Sequence, residues 1–268
     1  MLKDITLGQY FPGNSIAHKL DPRTKILLVT LYIIALFSAK GWMGYAVMAV
    51  TLAACVKVSH VGLRALVRGL KPLVFIIAFT GILNMFFTPD THYLWEWGIL
   101  RVSVKGIENA LFMVIRIMLL VMGTFLMTYT TSPIRLTDGL ESLLNPLKKI
   151  HVPVHELAMM MAIALRFIPT LIEETDKIMS AQKARGADFD SGNIFQKAKA
   201  LVPILVPLFI SAFRRADELA VAMECRCYHG GEGRTKLHVL KYQRRDYVAL
   251  AGGAVILVLV VALRRLGA

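Results

Sequence analysis

Apolar residues fall along this chain in long blocks, separated by short basic, aromatic or glycine-bearing breaks. The first block, 26–39, is short for a membrane crossing. It suffices if the flanking Arg23 and Lys25 reach back to the interface along their own methylenes. Gly41 and Gly44 open a second block that runs to residue 58, so the first two predict a tight helical hairpin. Residues 57–71 then carry Lys57, Arg64, Arg68 and Lys71 with no acid among them. By the positive-inside rule this stretch and the N-terminus face the cytoplasm. A third block covers 72–88. The connection 89–105 holds Tyr93, Trp95 and Trp97, rings that favour a membrane interface, and is expected outside. A fourth block, 106–131, contains Glu108 and Arg116. A membrane-buried arginine is a site candidate by default, and its ordinary alternative is a cation facing a neighbouring helix or reaching for the interface. The last block is 247–263. Five spans from an inside N-terminus put Arg264 and Arg265 outside, against the charge rule.

Between residues 132 and 246 the pattern changes, because more than half of the 31 Lys and Arg and over two thirds of the 18 Asp and Glu fall there. Ser132-Pro133 is a helix start, with proline at the first helical position. Leu136, Leu140, Leu143, Leu144 and Leu147 then mark a short amphipathic helix ending near Lys148 and Lys149. A second helix begins after Pro153, with Met161, Leu165, Ile168, Ile172 and Met179 on one stripe and Arg166, Glu173, Glu174 and Lys177 off it. At ~1.5 Å per residue it is roughly 48 Å long, longer than a ~30 Å hydrocarbon core, and its second half is charged. It is therefore expected along or below the membrane. A third helix, from about residue 197 to 227, repeats the design with Leu201, Leu205, Leu208, Ala212 and Leu219, and Pro203 and Pro207 predict a kink near its start. The two long helices end alike. Arg185 set over Arg226 superposes Ala181 on Ala222 and Asp176 on Asp217, and small residues flank both arginines: Ala184 and Gly186, Cys225 and Cys227. Gly186 is a fitting left-handed cap.

Composition supports an integral membrane protein: 56% of the 268 residues are hydrophobic and 18% are charged. The net charge of +13 fits loops beside anionic lipid, and no aromatic-and-basic module argues for nucleic acid. Three cysteines make no disulfide framework, and Cys225-Arg226-Cys227 lacks the second ligand pair of a zinc site. No phosphate-binding loop is present, so ATP hydrolysis is not expected of this chain. His151, His155 and Glu156 miss the metalloprotease spacing, with Pro153 between the histidines. No nucleophile elbow or paired-carboxylate arrangement stands out either. No catalytic, cofactor-binding or metal-binding residue is assigned.

A cation in a helix's last turn has a plain explanation, since it complements the helix dipole by ~0.3–1 kcal/mol. Duplication favours another, because small neighbours leave each guanidinium uncovered and able to enter a partner's pocket. In order along the chain, Leu20-Asp21-Pro22-Arg23-Thr24-Lys25, Ser132-Pro133 through Gly139-Leu140-Glu141, Leu165-Arg166-Phe167-Ile168-Pro169, Lys183-Ala184-Arg185-Gly186 and Ala222-Met223-Glu224-Cys225-Arg226 resemble the transmembrane T component of energy-coupling factor (ECF) transporters. The resemblance implies that the long helices are crossed coupling helices. It also implies that the motifs Ala184-Arg185-Gly186 and Cys225-Arg226-Cys227 dock into two ABC-type ATPase subunits, a homo- or heterodimer. A separate membrane-embedded S component would capture a vitamin or metal ion. ATP and magnesium would then be bound by the partner ATPases, with no cofactor in this chain. Cys225 and Cys227 stand where alanine or glycine is more usual, which opens the second motif to thiol chemistry.

The expectation is therefore an all-α integral membrane protein of about five transmembrane helices plus a cytoplasmic coupling domain of three helices, two of them long and crossed. Residues 1–131 hold four spans, 132–246 the coupling domain and 247–268 a last span. The expected role is a coupling subunit of an ATP-driven importer in a prokaryotic cell membrane, with Met161, Leu165, Ile168, Leu205 and Leu208 offered to the S component. The alternative is a self-contained secondary transporter, which would need inverted repeats and broken helices at the midplane.

Overall fold

The structure, a computed structural model, describes residues 10–88, 93–97, 100–187, 189, 193–230 and 239–265. Lys3, the tip of the 89–105 connection, part of the turn after Gly186 and the exit beyond Gly230 lie outside the described residues, as do the side chains of Tyr93, Trp95 and Trp97. The helices are α1 (Ile16–Lys19), α2 (Pro22–Ser38), α3 (Gly41–Ser59), α4 (Leu63–Leu70), α5 (Val74–Phe87), α6 (Val104–Thr130), α7 (Pro133–Leu144), α8 (Val154–Ala184), α9 (Ile194–Cys225) and α10 (Arg244–Arg265). One antiparallel strand pair, β1 (Tyr93–Trp97) and β2 (Leu100–Ser103), lies in the connection between α5 and α6. The architecture is that of an all-α membrane protein with one small hairpin.

Gly8–Leu140 with Leu240–Ala268 form one compact unit and Glu141–Val239 belong to another. In the first, the buried core is built from Ala35, Leu36, Tyr45, Met48, Leu52, Val56, Leu66, Leu119, Tyr129 and Val260. Residues 57–71 are more than a loop. Leu66 and Leu70 are buried while Leu63 and Val67 are exposed, so an amphipathic α4 lies inside the basic stretch, continuing through one 3-10 turn (Lys71–Leu73) into α5. Close approach of α2 to α6 requires Gly123, where a Cβ would overlap the Tyr32 ring; the Tyr32 hydroxyl donates to Leu119 O at 2.9 Å.

Polar contacts gather at one end of this bundle. Lys25 Nζ donates to Thr130 O at 2.8 Å and to Thr131 Oγ1 at 3.0 Å, joining the start of α2 to the end of α6. Asp246, 2% exposed, accepts from the backbone N–H of Asp21 at 2.9 Å and of Gln243 at 2.8 Å. Those two residues precede the first turns of α2 and α10, so one carboxylate satisfies orphan donors of two helix starts. Asp21 itself pairs with Arg23 at 3.0 Å, and Arg23 lies over the Tyr242 ring at 4.1 Å. Since α2 and α10 start together they run parallel, and α10 ends at the opposite end of the bundle from residues 10–21.

Among the described residues, six helical stretches are long and apolar enough to cross a membrane: Gly41–Ser59, Leu63–Phe87, Val104–Thr130, Val154–Ala184, Phe195–Cys225 and Arg244–Arg265. This differs from the expected five in two ways. The first span, α2, has 17 residues and is shorter than all six, while α8 and α9, expected outside the spans, qualify by length and composition. Each does so through an apolar run in its first part that carries at most two charges, ahead of the charges clustered in the second half of α8.

Candidate functional site: the ends of the two long helices

Both long helices finish in the same hydrogen-bonded turn. At the end of α8, Gly186 N–H bonds Lys183 O at 3.0 Å and Ala187 N–H bonds Gln182 O at 3.0 Å, with Gly186 left-handed at φ 88°. At the end of α9, Cys227 N–H bonds Glu224 O at 2.8 Å and Tyr228 N–H bonds Met223 O at 3.0 Å, with Cys227 left-handed at φ 54°. Each is a Schellman motif, with the arginine as the capping residue and the next residue in the left-handed region. This accounts for the third position of each motif: glycine takes that conformation without steric cost, and a small cysteine takes it at a cost of ~1 kcal/mol.

Ala184, Arg185, Gly186, Cys225, Arg226 and Cys227 are all exposed. Among the described residues neither Arg185 nor Arg226 has a side-chain hydrogen bond or ion pair, so both guanidiniums keep their full donor sets for another molecule.

The spacing of these tips follows from how α8 and α9 pack. Glu174 Oε1 accepts from Ser211 Oγ at 2.7 Å, and its Oε2 accepts from Arg215 Nη2 at 2.6 Å. Eight residues further along α8, Gln182 Nε2 donates to Pro203 O at 3.4 Å, eight residues back from Ser211 along α9; the helices therefore run antiparallel. Arg185 follows Glu174 by eleven residues and Arg226 follows Arg215 by eleven. The tips lie at opposite ends of the pair, roughly 33 Å apart at ~1.5 Å per residue. The fold does not bring the two arginines together; it holds them at matched distances from one polar contact. Ser211 and then Arg215 hold the Glu174 carboxyl below its ordinary value, with the charged second half of α8 around it.

Sequence reasoning did not find the Glu174–Ser211–Arg215 contact. A signal was available, since Glu174 and Arg215 stand at the same 41-residue offset that relates Arg185 to Arg226. Pro203 and Pro207 do not end α9, which continues through both.

The apolar residues expected to meet a partner divide. Met161 and Leu205 are 36% and 57% exposed. Leu165 and Ile168 are half-buried, and Leu208 is half-buried on the stripe that includes the buried Ile204 and the Glu174 partners Ser211 and Arg215. A more open stripe, Val202, Val206, Phe209 and Phe213, runs beside it with every member at least 50% exposed, and the Phe209 and Phe213 rings pack at 4.7 Å. The other candidates have local partners. Arg116 Nε donates to the Tyr45 hydroxyl at 2.9 Å and its guanidinium lies 5.7 Å from the Phe37 and Tyr45 rings, which is the ordinary alternative for a membrane arginine. His155 Nδ1 lies 3.0 Å from Glu141 Oε1, His151 is a left-handed residue closing a 3-10 turn, and Glu108 is exposed on α6.

A multi-pass helical membrane protein, with two long antiparallel helices capped by matched arginine turns, is the class that these features define. The chain belongs to the family whose model is described as cobalt transport protein (CbiQ), which matches residues 13–237. It is 54% identical over 246 residues to the energy-coupling factor transporter transmembrane protein EcfT of Ruminiclostridium cellulolyticum, covering 92% of each chain. It is 56% identical over 250 residues to the EcfT protein of Clostridium kluyveri, covering 93% of each. Against the EcfT protein of Bacillus subtilis the identity is 46% over 264 residues, covering 98% of this chain and 100% of the relative.

Proposed function

We propose that this chain is the mechanical coupling subunit of an ATP-driven ECF-type importer of vitamins or metal ions. Two ABC-type ATPase subunits, which bind ATP and magnesium, dock on Ala184-Arg185-Gly186 and Cys225-Arg226-Cys227. The S component rests on the apolar surface of Met161, Leu165, Ile168, Leu205 and Leu208, with the Val202 to Phe213 stripe beside it. The observation that carries the reading is the pair of arginines without partners among the described residues, in matched helix-ending turns at equal distances from the Glu174–Arg215 contact. A single helix-end cation needs no partner, but two exposed guanidiniums at matched distances from one contact suit a partner with two grooves. The membrane bundle end bearing Arg23, Lys25, Arg64, Arg68, Lys71, Arg244 and Arg245 faces the cytoplasm, as the positive-inside rule requires.

Copurification with the ATPases tests this. Arg185→Ala and Arg226→Ala each remove a charge-assisted contact, expected to weaken association by roughly 2–5 kcal/mol, and the double variant loses the grip that bivalency provides. Lysine restores little because it lacks the planar fork. ATPases retained at wild-type levels by both alanine variants, with uptake intact, would exclude the coupling role.

A further inference from the structure

A cleft of about 650 Å³ opens in the membrane bundle between α2, α3, α6 and α10. Its walls are apolar along most of their length, with Leu28, Leu52, Leu126 and Ile256 among them, and its charged lining residues are all cationic: Lys25, Arg244 and Arg245. These three sit at the end of the bundle where α2 and α10 start. Lys25 is occupied by Thr130 and Thr131, and Asp246 next door is occupied by two backbone N–H groups. Arg244 and Arg245 are exposed and, among the described residues, have no acidic partner. The wall from Arg245 to Ile256 is eleven residues, or ~16 Å of helix, about half of a ~30 Å hydrocarbon core.

A cationic mouth on an apolar slot one leaflet deep has the polarity and length of an amphiphile. We infer that this cleft binds a membrane phospholipid with an anionic headgroup, one acyl chain in the slot and the phosphate on Arg244 and Arg245. Basic pockets between transmembrane helices at the cytoplasmic surface recognise such headgroups. The inference rests on the bundle spanning the membrane and is independent of the ATPase and S-component contacts.

The floor of the slot supplies the test. A Cβ built at Gly252, which lines the cleft, meets no atom within 4 Å, so the side chains of Gly252→Trp and the smaller Gly252→Leu start in open space beside the slot. The full-length chain, purified in mild detergent with the subunits that accompany it, is exchanged into nanodiscs of phosphatidylcholine containing phosphatidylglycerol, and lipid retained after re-extraction is weighed by native mass spectrometry. The wild type keeps phosphatidylglycerol in preference to phosphatidylcholine. Arg244→Gln and Arg245→Gln each lower that preference about fivefold and together about thirtyfold, and both Gly252 variants abolish retention. Val258→Trp, on an exposed part of α10 outside the cleft lining, leaves retention unchanged and controls for insertion of a large ring. Retention by Gly252→Leu equal to wild type, or an undiminished preference in the double arginine variant, overturns the inference. Displacement of the lipid by inorganic phosphate alone also overturns it, because the acyl chain would then contribute nothing.

Discussion

Replacing Asp246 by alanine should destabilise the membrane bundle more than any other single change at its polar end. The carboxylate is 2% exposed and receives two backbone N–H groups, from Asp21 at 2.9 Å and Gln243 at 2.8 Å. Neither donor belongs to a completed helical turn, so neither has an intrahelical carbonyl to fall back on. A hydrogen bond to a charged group contributes ~1.5–3 kcal/mol, and leaving a buried donor unmade costs about the same. Two such bonds, less the relief of no longer desolvating a carboxylate, leave a net loss of roughly 3–5 kcal/mol. Asparagine keeps one acceptor oxygen but points an amide N–H at the other donor, so it should lose about as much as one bond. The assay is thermal unfolding of the detergent-solubilised chain, where Asp246→Ala should lower the apparent Tm on the order of 10 °C and Asp246→Asn by about half that. The effect is specific to the two helix starts: Asp21→Asn removes the Arg23 pair but leaves the Asp21 N–H bonded to Asp246, and should cost clearly less. An alanine variant melting within about 2 °C of wild type would show that the α2–α10 pairing rests on apolar contact and that the carboxylate tie is incidental.

Two further outcomes test orientation and the long-helix pair. In a variant without Cys55, Cys225 and Cys227, Lys40→Cys, at the turn between α2 and α3, should react with an impermeant maleimide in intact cells, whereas Gly62→Cys, beside α4, should be protected; the reverse pattern would invert the membrane orientation. In a chain lacking Cys55 and carrying Cys227→Gly, spin labels at Cys225 and at Ala184→Cys should give a distance near the ~30 Å expected from ten helical residues on either side of the contact. Glu174→Gln should broaden that distribution. The Glu174 carboxyl is held below its ordinary value, so its contacts are complete above the ordinary carboxylate range and are lost as pH falls through the lowered value. Acidified wild type should therefore converge on the glutamine variant at neutral pH; a glutamine variant as narrow as wild type would remove Glu174 from the account.

The helices were legible where one period dominates. Blocks of apolar residues located α2, α3, α5, α6 and α10 to within a few residues, because a lipid-facing helix needs no amphipathic alternation to bury it. The α4 helix was hidden by its own bases: Leu63, Leu66, Val67 and Leu70 have helical spacing, but Arg64, Arg68 and Lys71 read first as a loop charge. Contacts between distant residues left no local trace. Asp246 to Asp21 spans 225 residues, and nothing at either position distinguishes a tie between two helix starts from two solvated surface acids.

The candidate site was legible as a repeat and not as a geometry. Superposing Arg185 on Arg226 singles out the tips, and the same 41-residue offset carries Glu174 onto Arg215, the two residues that meet across the pair. Equivalent positions touch at one point only if the two helices are related there by an approximate two-fold rotation, and such a rotation makes the two arms equal. Equality has a mechanical consequence under the proposed function: a displacement applied at both tips acts with the same lever on both sides of the Glu174–Arg215 contact. Equal and opposite displacements of the two tips, the kind that two-fold related partners apply, rotate the pair about that contact and do not drag it sideways. The Val202 to Phe213 stripe ends two residues from Arg215 but begins thirteen residues from it, so its Phe209 and Phe213 end would turn with little translation while Val202 moves as far as the tips. The local chemistry of the tips is not equal, since Gly186 enters the left-handed region freely and Cys227 does so at ~1 kcal/mol. Of the two matched turns, the one after Arg226 is therefore the less firmly held before a partner covers it, and ordering it adds to the cost of docking on that side.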